Sequence, residues 1–244
     1  MGSVTPDGYL LQLRSATAGL VGAIAGLSDA DVRVPSSLPG WTRGHVLTHL
    51  ARNAEGGTRL LEWARTGVRG YQYESLEARA AAIEQGAGRP AAALVADVRS
   101  SADGFSAAAD GMPAQTWQRT VRWTTGHEAD AALIVPIRLG EVLIHHVDLD
   151  IGYRSRDWPA AFVGDYLDRA VTALRGHVEW PGTVRMEATD TGRVHEAGDI
   201  TSATPVIAGP EYALLTWLLG RSDGGELSRE GNGQLPEVPP FYTA

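Results

Sequence analysis

Three residues in this chain have the types and spacing to hold a divalent cation: His49, Glu141 and His145. They stand in the segments PGWTRGHVLTHL and GEVLIHHVDLD. Glu141 and His145 are related as i,i+4, which places both on one face of a helix. A second helix carrying His49 then offers a third ligand from across a bundle core. Two imidazoles and one carboxylate around an open position describe a catalytic zinc site better than a structural one. The same donor set accepts iron, cobalt or nickel. His45 and His49 make a further i,i+4 pair, so spacing alone leaves the choice of histidine on the first helix open. The surroundings argue against solvated ion pairs. Val142, Leu143, Ile144 and Val147 enclose the second pair, and Val46, Leu47 and Leu50 flank His49. Asp148, three residues after His145, can accept a hydrogen bond from a ligand histidine or an arginine, or simply complete the charge pattern of a helix end.

The elements that must position these groups follow from periodicity. Apolar residues at helical spacing predict a helix from Leu10 to Leu27, ended by Ser28-Asp29. After the Pro39-Gly40 turn, Thr42 caps a second helix that runs to about Thr66-Gly67, with Val46, Leu50, Leu60, Leu61 and Trp63 toward the core. Trp41 also reads as a core aromatic. Gly56-Gly57 inside that helix signals a kink or a close approach. A short helix over Leu76 to Glu84 includes Arg79, and Pro90 opens an alanine-rich helix over about Ala91 to Ala109. Trp117 to Trp123 alternates apolar and polar residues, as a short strand or extended loop does. The helix bearing Glu141 and His145 ends at Val147. It starts at Ala129 or Asp130, or only near Pro136, because proline interrupts a helix interior.

Beyond Tyr153 the pattern changes. Trp158 to Val178 is helical, whereas Thr183 to Asp190 alternates as a strand, with a turn at Asp190-Thr-Gly and a partner strand over Val194 to Glu196. Pro205 to Gly209 reads as another strand and Glu211 to Leu219 as a helix stopped by Gly220. The tail from Gln234 to Ala244 is irregular and punctuated by proline. The expectation is an α+β protein, with a four-helix bundle over residues 1–155 and a small α/β domain over 156–244.

Composition narrows the function classes. The chain has 244 residues and a formal net charge of -8, so neither nucleic acid nor an anionic membrane is an expected partner. No stretch approaches a membrane span, and the N-terminus lacks a basic segment followed by an apolar run. A cytoplasmic protein is expected. All 21 cationic residues are arginine, so no lysine is available for Schiff-base chemistry. Zero cysteine excludes a protein thiol nucleophile and thiolate metal ligands. Any sulfur chemistry must use a small-molecule thiol.

The segments PGWTRGHVLTHLARNA, LLEWARTG, LEARAAAIEQGAGRP and EVLIHHVDLDIGY, together with VIAGPEYALLTWLLGRSDG, resemble the mycothiol-dependent maleylpyruvate isomerase family. The pattern GW(x)7HL followed by E(x)3H(x)2DL carries the resemblance. It implies a DinB-like metal-binding four-helix bundle with a C-terminal α/β domain, and a Zn2+ or other divalent ion held by His49, Glu141 and His145. His45 falls outside that ligand set, and His146 is expected to point away from the metal. The resemblance also implies mycothiol as the thiol, which would add to maleylpyruvate through a metal-activated thiolate and leave again to give fumarylpyruvate. Arg79 (LEAR) and Arg221 (GRSDG) are the implied binders of the anionic substrate, suited to bidentate carboxylate recognition. An S-transferase joining mycothiol to an electrophilic metabolite is the alternative. A non-catalytic binding module is a third, in which the open metal position has no purpose.

Overall fold

A computed structural model of the chain describes residues 6–176, 182–202, 204–231 and 234–238. These divide into two compact units, Met1–Gly152 and Tyr153–Ala244. The architecture is α+β, as expected.

Four helices form the body of the first unit: α1 (Pro6–Ile24), α3 (Arg43–Thr66), α5 (Ala91–Asp110) and α6 (Ile134–Asp148). Each packs on two others in the cycle α1, α6, α3, α5, which is the contact pattern of a four-helix bundle. The short α2 (Asp29–Arg33) and α4 (Leu76–Ala87) lean on α3. Helix α1 buries Leu13, Leu20 and Ile24, a stripe that recurs at near-integral turns. Helix α6 is buried almost all round, with Val135, Leu139, Val142, Leu143 and Ile144 in the core. Each such side chain contributes about 1.5–3 kcal/mol on burial. Most of the polar groups on α6 are therefore set in an apolar wall, with Glu141 keeping some contact with solvent.

Thr42 caps α3 as its type predicts, and the helix ends at Gly67. The glycine pair inside α3 marks close approach: a Cβ on Gly57 would lie 2.6 Å from Phe105 Cε2 of α5. Pro136 sits in the first turn of α6, where its missing N–H costs nothing. The start of that helix differs from one reading of the sequence. Ala129 and Asp130 belong to a strand, β2 (Glu128–Asp130), which pairs antiparallel with β1 (Thr120–Arg122) around a turn containing Gly126. Pairing with β1, including Val121 opposite Ala129, overrides the weak helical pattern there.

The second unit holds a four-stranded sheet in the order β4 (Val194–Ala197), β3 (Val184–Ala188), β5 (Val206–Gly209), β6 (Ser228–Arg229). β3 and β5 are parallel, and both other pairings are antiparallel. Helices α7 (Ala160–Arg175) and α8 (Glu211–Leu218) pack on each other, α7 also on β4, and α8 also on β3 and β5. Alternation in β3 buries Val184, Met186 and Ala188 against the helices' side. Gly192, with φ of +72°, makes the predicted turn between β3 and β4. The expected helical end at Val178 and the end of the tail, residues 239–244, lie outside the described residues.

Candidate metal centre

α3 and α6 are neighbours in the bundle and bring three side chains together. His49 Nε2 lies 2.9 Å from Glu141 Oε2 and 3.0 Å from His145 Nε2, and the third edge, His145 Nε2 to Glu141 Oε2, is 3.3 Å. Ligand atoms on a tetrahedral zinc with bonds of 2.0–2.1 Å are about 3.3 Å apart. The triangle fits such an ion with only a slight outward relaxation. Among the described residues this is the one trio of histidine and carboxylate groups with that convergence. His49 and His145 are buried, while the Glu141 side chain keeps 13% exposure, so the trio opens to solvent on the carboxylate's side.

The groups around the trio fix its protons. His145 Nδ1 faces Asp148 Oδ2 at 2.8 Å, one helical turn further on. A hydrogen bond from Nδ1 to a carboxylate leaves Nε2 aimed at the centre, the arrangement that orients ligand histidines. Asp148 is fully buried, and Ser37 Oγ lies near its carboxylate, so the helix-end explanation for this residue gives way to an orienting one. Arg79 reaches from α4 and places Nη2 3.1 Å from His49 Nδ1. Guanidinium can only donate, so Nδ1 accepts and Nε2 of His49 carries the proton toward Glu141.

The electrostatics follow from burial and these contacts. Burial drives the His49 imidazole down to about 4, and the neighbouring charge of His145 adds to the effect against the pull of Glu141. Burial also pushes His145 down, but its hydrogen bonds to the carboxylates of Asp148 and Glu141 outweigh it and the net shift is upward. For Glu141 burial works upward, yet both histidines hold the carboxylate well below its usual range. At neutral pH the centre thus presents a carboxylate and an imidazole free of charge. The lone pairs that share protons here are the ones a cation uses.

His45, the alternative histidine, is spoken for. Its Nδ1 accepts the Thr42 backbone N–H at 3.1 Å and its Nε2 lies 3.2 Å from Glu84, at the mouth of α3. His146 is buried but forms no part of the trio. Trp41 is half-buried with its ring centroid 5.7 Å from that of His49, walling one side of the centre. Trp63 is half-buried beneath Arg69. Of the two implied anion binders, Arg79 meets the centre directly. Arg221 belongs to the second unit, where its Nη1 donates to the Leu219 carbonyl.

Three neighbours were not flagged by sequence: Asn53, Tyr73 and Arg138. Arg138 precedes Glu141 by one turn of α6 and is 3% exposed, with Nη1 donating to Asn53 Oδ1 at 2.7 Å. The available signal was its i,i+3,i+7 relation to Glu141 and His145 within an apolar run.

Two family models match the chain: the mycothiol maleylpyruvate isomerase N-terminal domain over residues 13–150 and the MDMPI C-terminal domain over residues 157–240. Among solved structures, a crystal structure of the mycothiol-dependent maleylpyruvate isomerase superposes with a TM-score of 0.90 at 23% identity, covering 97% of both chains. A histidine-to-alanine mutant of such an enzyme gives 0.89 at 22% identity, again covering 97% of both. At this identity the superpositions establish a shared fold. No curated protein matches the chain.

Proposed function

The chain belongs to the mycothiol maleylpyruvate isomerase family, and from that premise we propose that it is a metal-dependent enzyme that uses mycothiol to convert maleylpyruvate to fumarylpyruvate. The observation that carries the reading is the convergence of His49, Glu141 and His145 from α3 and α6. These are the proposed ligands, and zinc is the proposed ion because two imidazoles and one carboxylate match its catalytic sites. Held by these three residues, such an ion would supply Lewis acidity that favours the thiolate form of a thiol near neutral pH, the form whose reversible addition to a double bond would let it rotate. The chain has no cysteine, so the thiol comes from outside.

The protein's own groups do the rest. Asp148 holds the His145 ring in the orientation that presents Nε2. Trp41 packs against the His49 ring on one side. Negative charge grows on the substrate's carbonyl oxygen as its double bond is attacked, and fixed positive charge beside that oxygen lowers the barrier. Arg79 is next to the centre and suits a carboxylate or that oxygen. For Arg221 the support is the GRSDG motif.

The test is an absorbance assay of zinc-loaded protein with maleylpyruvate, run with and without mycothiol. Turnover to fumarylpyruvate that requires both zinc and mycothiol supports the reading. No turnover with both present overturns it, and accumulation of a thiol conjugate in place of fumarylpyruvate identifies an S-transferase.

A further inference from the structure

Tyr73 lies on the segment before α4, with its ring under the Arg79 guanidinium at 5.8 Å. It helps line an open groove of about 530 Å3, together with Arg52, Arg59, Tyr71, Glu74 and Arg79. The absence of a side chain at Gly56 makes room for it: a Cβ there would stand 3.3 Å from Tyr73 Cζ. Gly56 is one helical turn beyond Asn53 and two beyond His49, so the phenol end enters on the face of α3 that carries the metal ligand. The Tyr73 hydroxyl is sealed from water and meets no partner at full hydrogen-bond geometry; Arg79 is the side chain whose donor group acts on it. A buried hydroxyl without a partner costs on the order of 1–3 kcal/mol.

Arg138 poses a related problem. It is 3% exposed, and it donates a hydrogen bond to a neutral amide, Asn53. It makes no ion pair among the described residues. Burial pulls this guanidinium down to about 10, with the charge of Glu141 opposing, so it stays cationic at neutral pH. Glu141 is also the carboxylate that acts on Tyr73, after burial itself, in raising the phenol above its ordinary range. Once Glu141 serves a cation, the carboxylate whose charge acts on Arg138 is committed elsewhere. A buried cation in that position calls for an anion that the chain does not supply.

We propose that Arg138 and Tyr73 form an oxyanion receptor beside Glu141, in which the guanidinium and the phenolic O–H receive a carboxylate or enolate oxygen of the substrate. The inference rests on the isomerase reading for the identity of the substrate, a small dicarboxylate. It assigns two donors within the bundle, one on α6 and one on the segment before α4, in addition to Arg79. Arg79 stands between the groove and His49, so a ligand entering from the groove passes it first.

The probe is maleate, a cis-dicarboxylate, titrated calorimetrically into zinc-loaded protein. Tyr73→Phe removes one oxygen and leaves the ring; Arg138→Met keeps the bulk and removes the charge. Zinc stoichiometry and melting temperature are measured for each. The expected result is weaker maleate binding by about 10-fold for Tyr73→Phe and about 100-fold for Arg138→Met, at full zinc occupancy. Unchanged affinity in both variants overturns the proposal. So does a wild-type protein that isomerises maleylpyruvate without binding maleate, an outcome that leaves the isomerase reading standing. The converse, receptor-dependent maleate binding with no turnover, supports the receptor and removes the isomerase reading. If Arg138→Met loses zinc or unfolds, Tyr73→Phe alone decides.

Discussion

Asp148 Oδ2 lies 2.8 Å from His145 Nδ1, with the carboxylate fully buried at the end of the same helix. A buried carboxylate is costly unless its partner returns the energy, and here the return is a fixed imidazole orientation. Asp148→Asn keeps the shape and removes the charge. Zinc affinity is expected to fall about 10- to 100-fold, read by competition with a chelator of known affinity. An affinity equal to that of wild type would show that the contact does not orient a ligand.

His49 and Glu141 come from different helices and meet at 2.9 Å. Removing either leaves two donors, too few to hold a zinc ion against buffer. His49→Ala and Glu141→Ala are each expected to be purified with little zinc by elemental analysis, while far-ultraviolet circular dichroism stays helical. Stoichiometric zinc in both variants sinks the ligand assignment. His45→Ala is the control and keeps the metal, because that ring serves the α3 cap.

The convergent trio was legible because histidine and glutamate at helical spacing interrupt apolar runs, and bundle interiors seldom admit them. Distinguishing His49 from His45 by residue type needed more. His45 is three residues after the Thr42 cap, a position from which a side chain can turn back to the helix start, and it does so. Arg138 stayed hidden because one arginine among 21 reads as surface by default, and only its contact with Asn53 across two helices reveals burial. Tyr73 was equally silent, since its place depends on Gly56, distant in sequence. The strand β2 has the sequence EAD, without strand propensity, and exists through pairing with β1. In each case the missing information was tertiary.

Acid should weaken the metal-free protein through His49. Its folded value is about 4 against an ordinary 6.5, because burial disfavours the charged ring. Between those values the unfolded chain takes up a proton that the folded chain refuses, so this stability is present above pH 6.5 and lost as the pH falls toward 4. His145 has the opposite sign. Burial lowers it, but Asp148 and Glu141 more than compensate, so its contribution is complete below pH 6.5 and lost as the pH rises through the raised value. Melting of the metal-free wild type is expected to drop steadily from pH 6.5 to 4, and the slope to be shallower in His49→Leu. Equal slopes would rule out a buried neutral His49.

Glycines in two of the bundle helices predict opposite responses to the same substitution. In Gly57→Ala the new Cβ meets Phe105 Cε2 at 2.6 Å and Cδ2 at 3.0 Å, a ring that is itself fully buried in α5. Alanine gains roughly 1 kcal/mol of helix propensity, but overpacking a tight contact costs about 1–3 kcal/mol. Gly104, on the exposed side of α5, has nothing within 4 Å of its Cβ position, so there alanine keeps the propensity gain alone, about 0.5–1 kcal/mol. Urea unfolding of the metal-free protein should therefore move the midpoint down for Gly57→Ala and up for Gly104→Ala. If both variants were stabilised, Gly57 would not be a point of close approach between α3 and α5. The separation of the helix that carries His49 from its neighbour would then have to be set by other contacts.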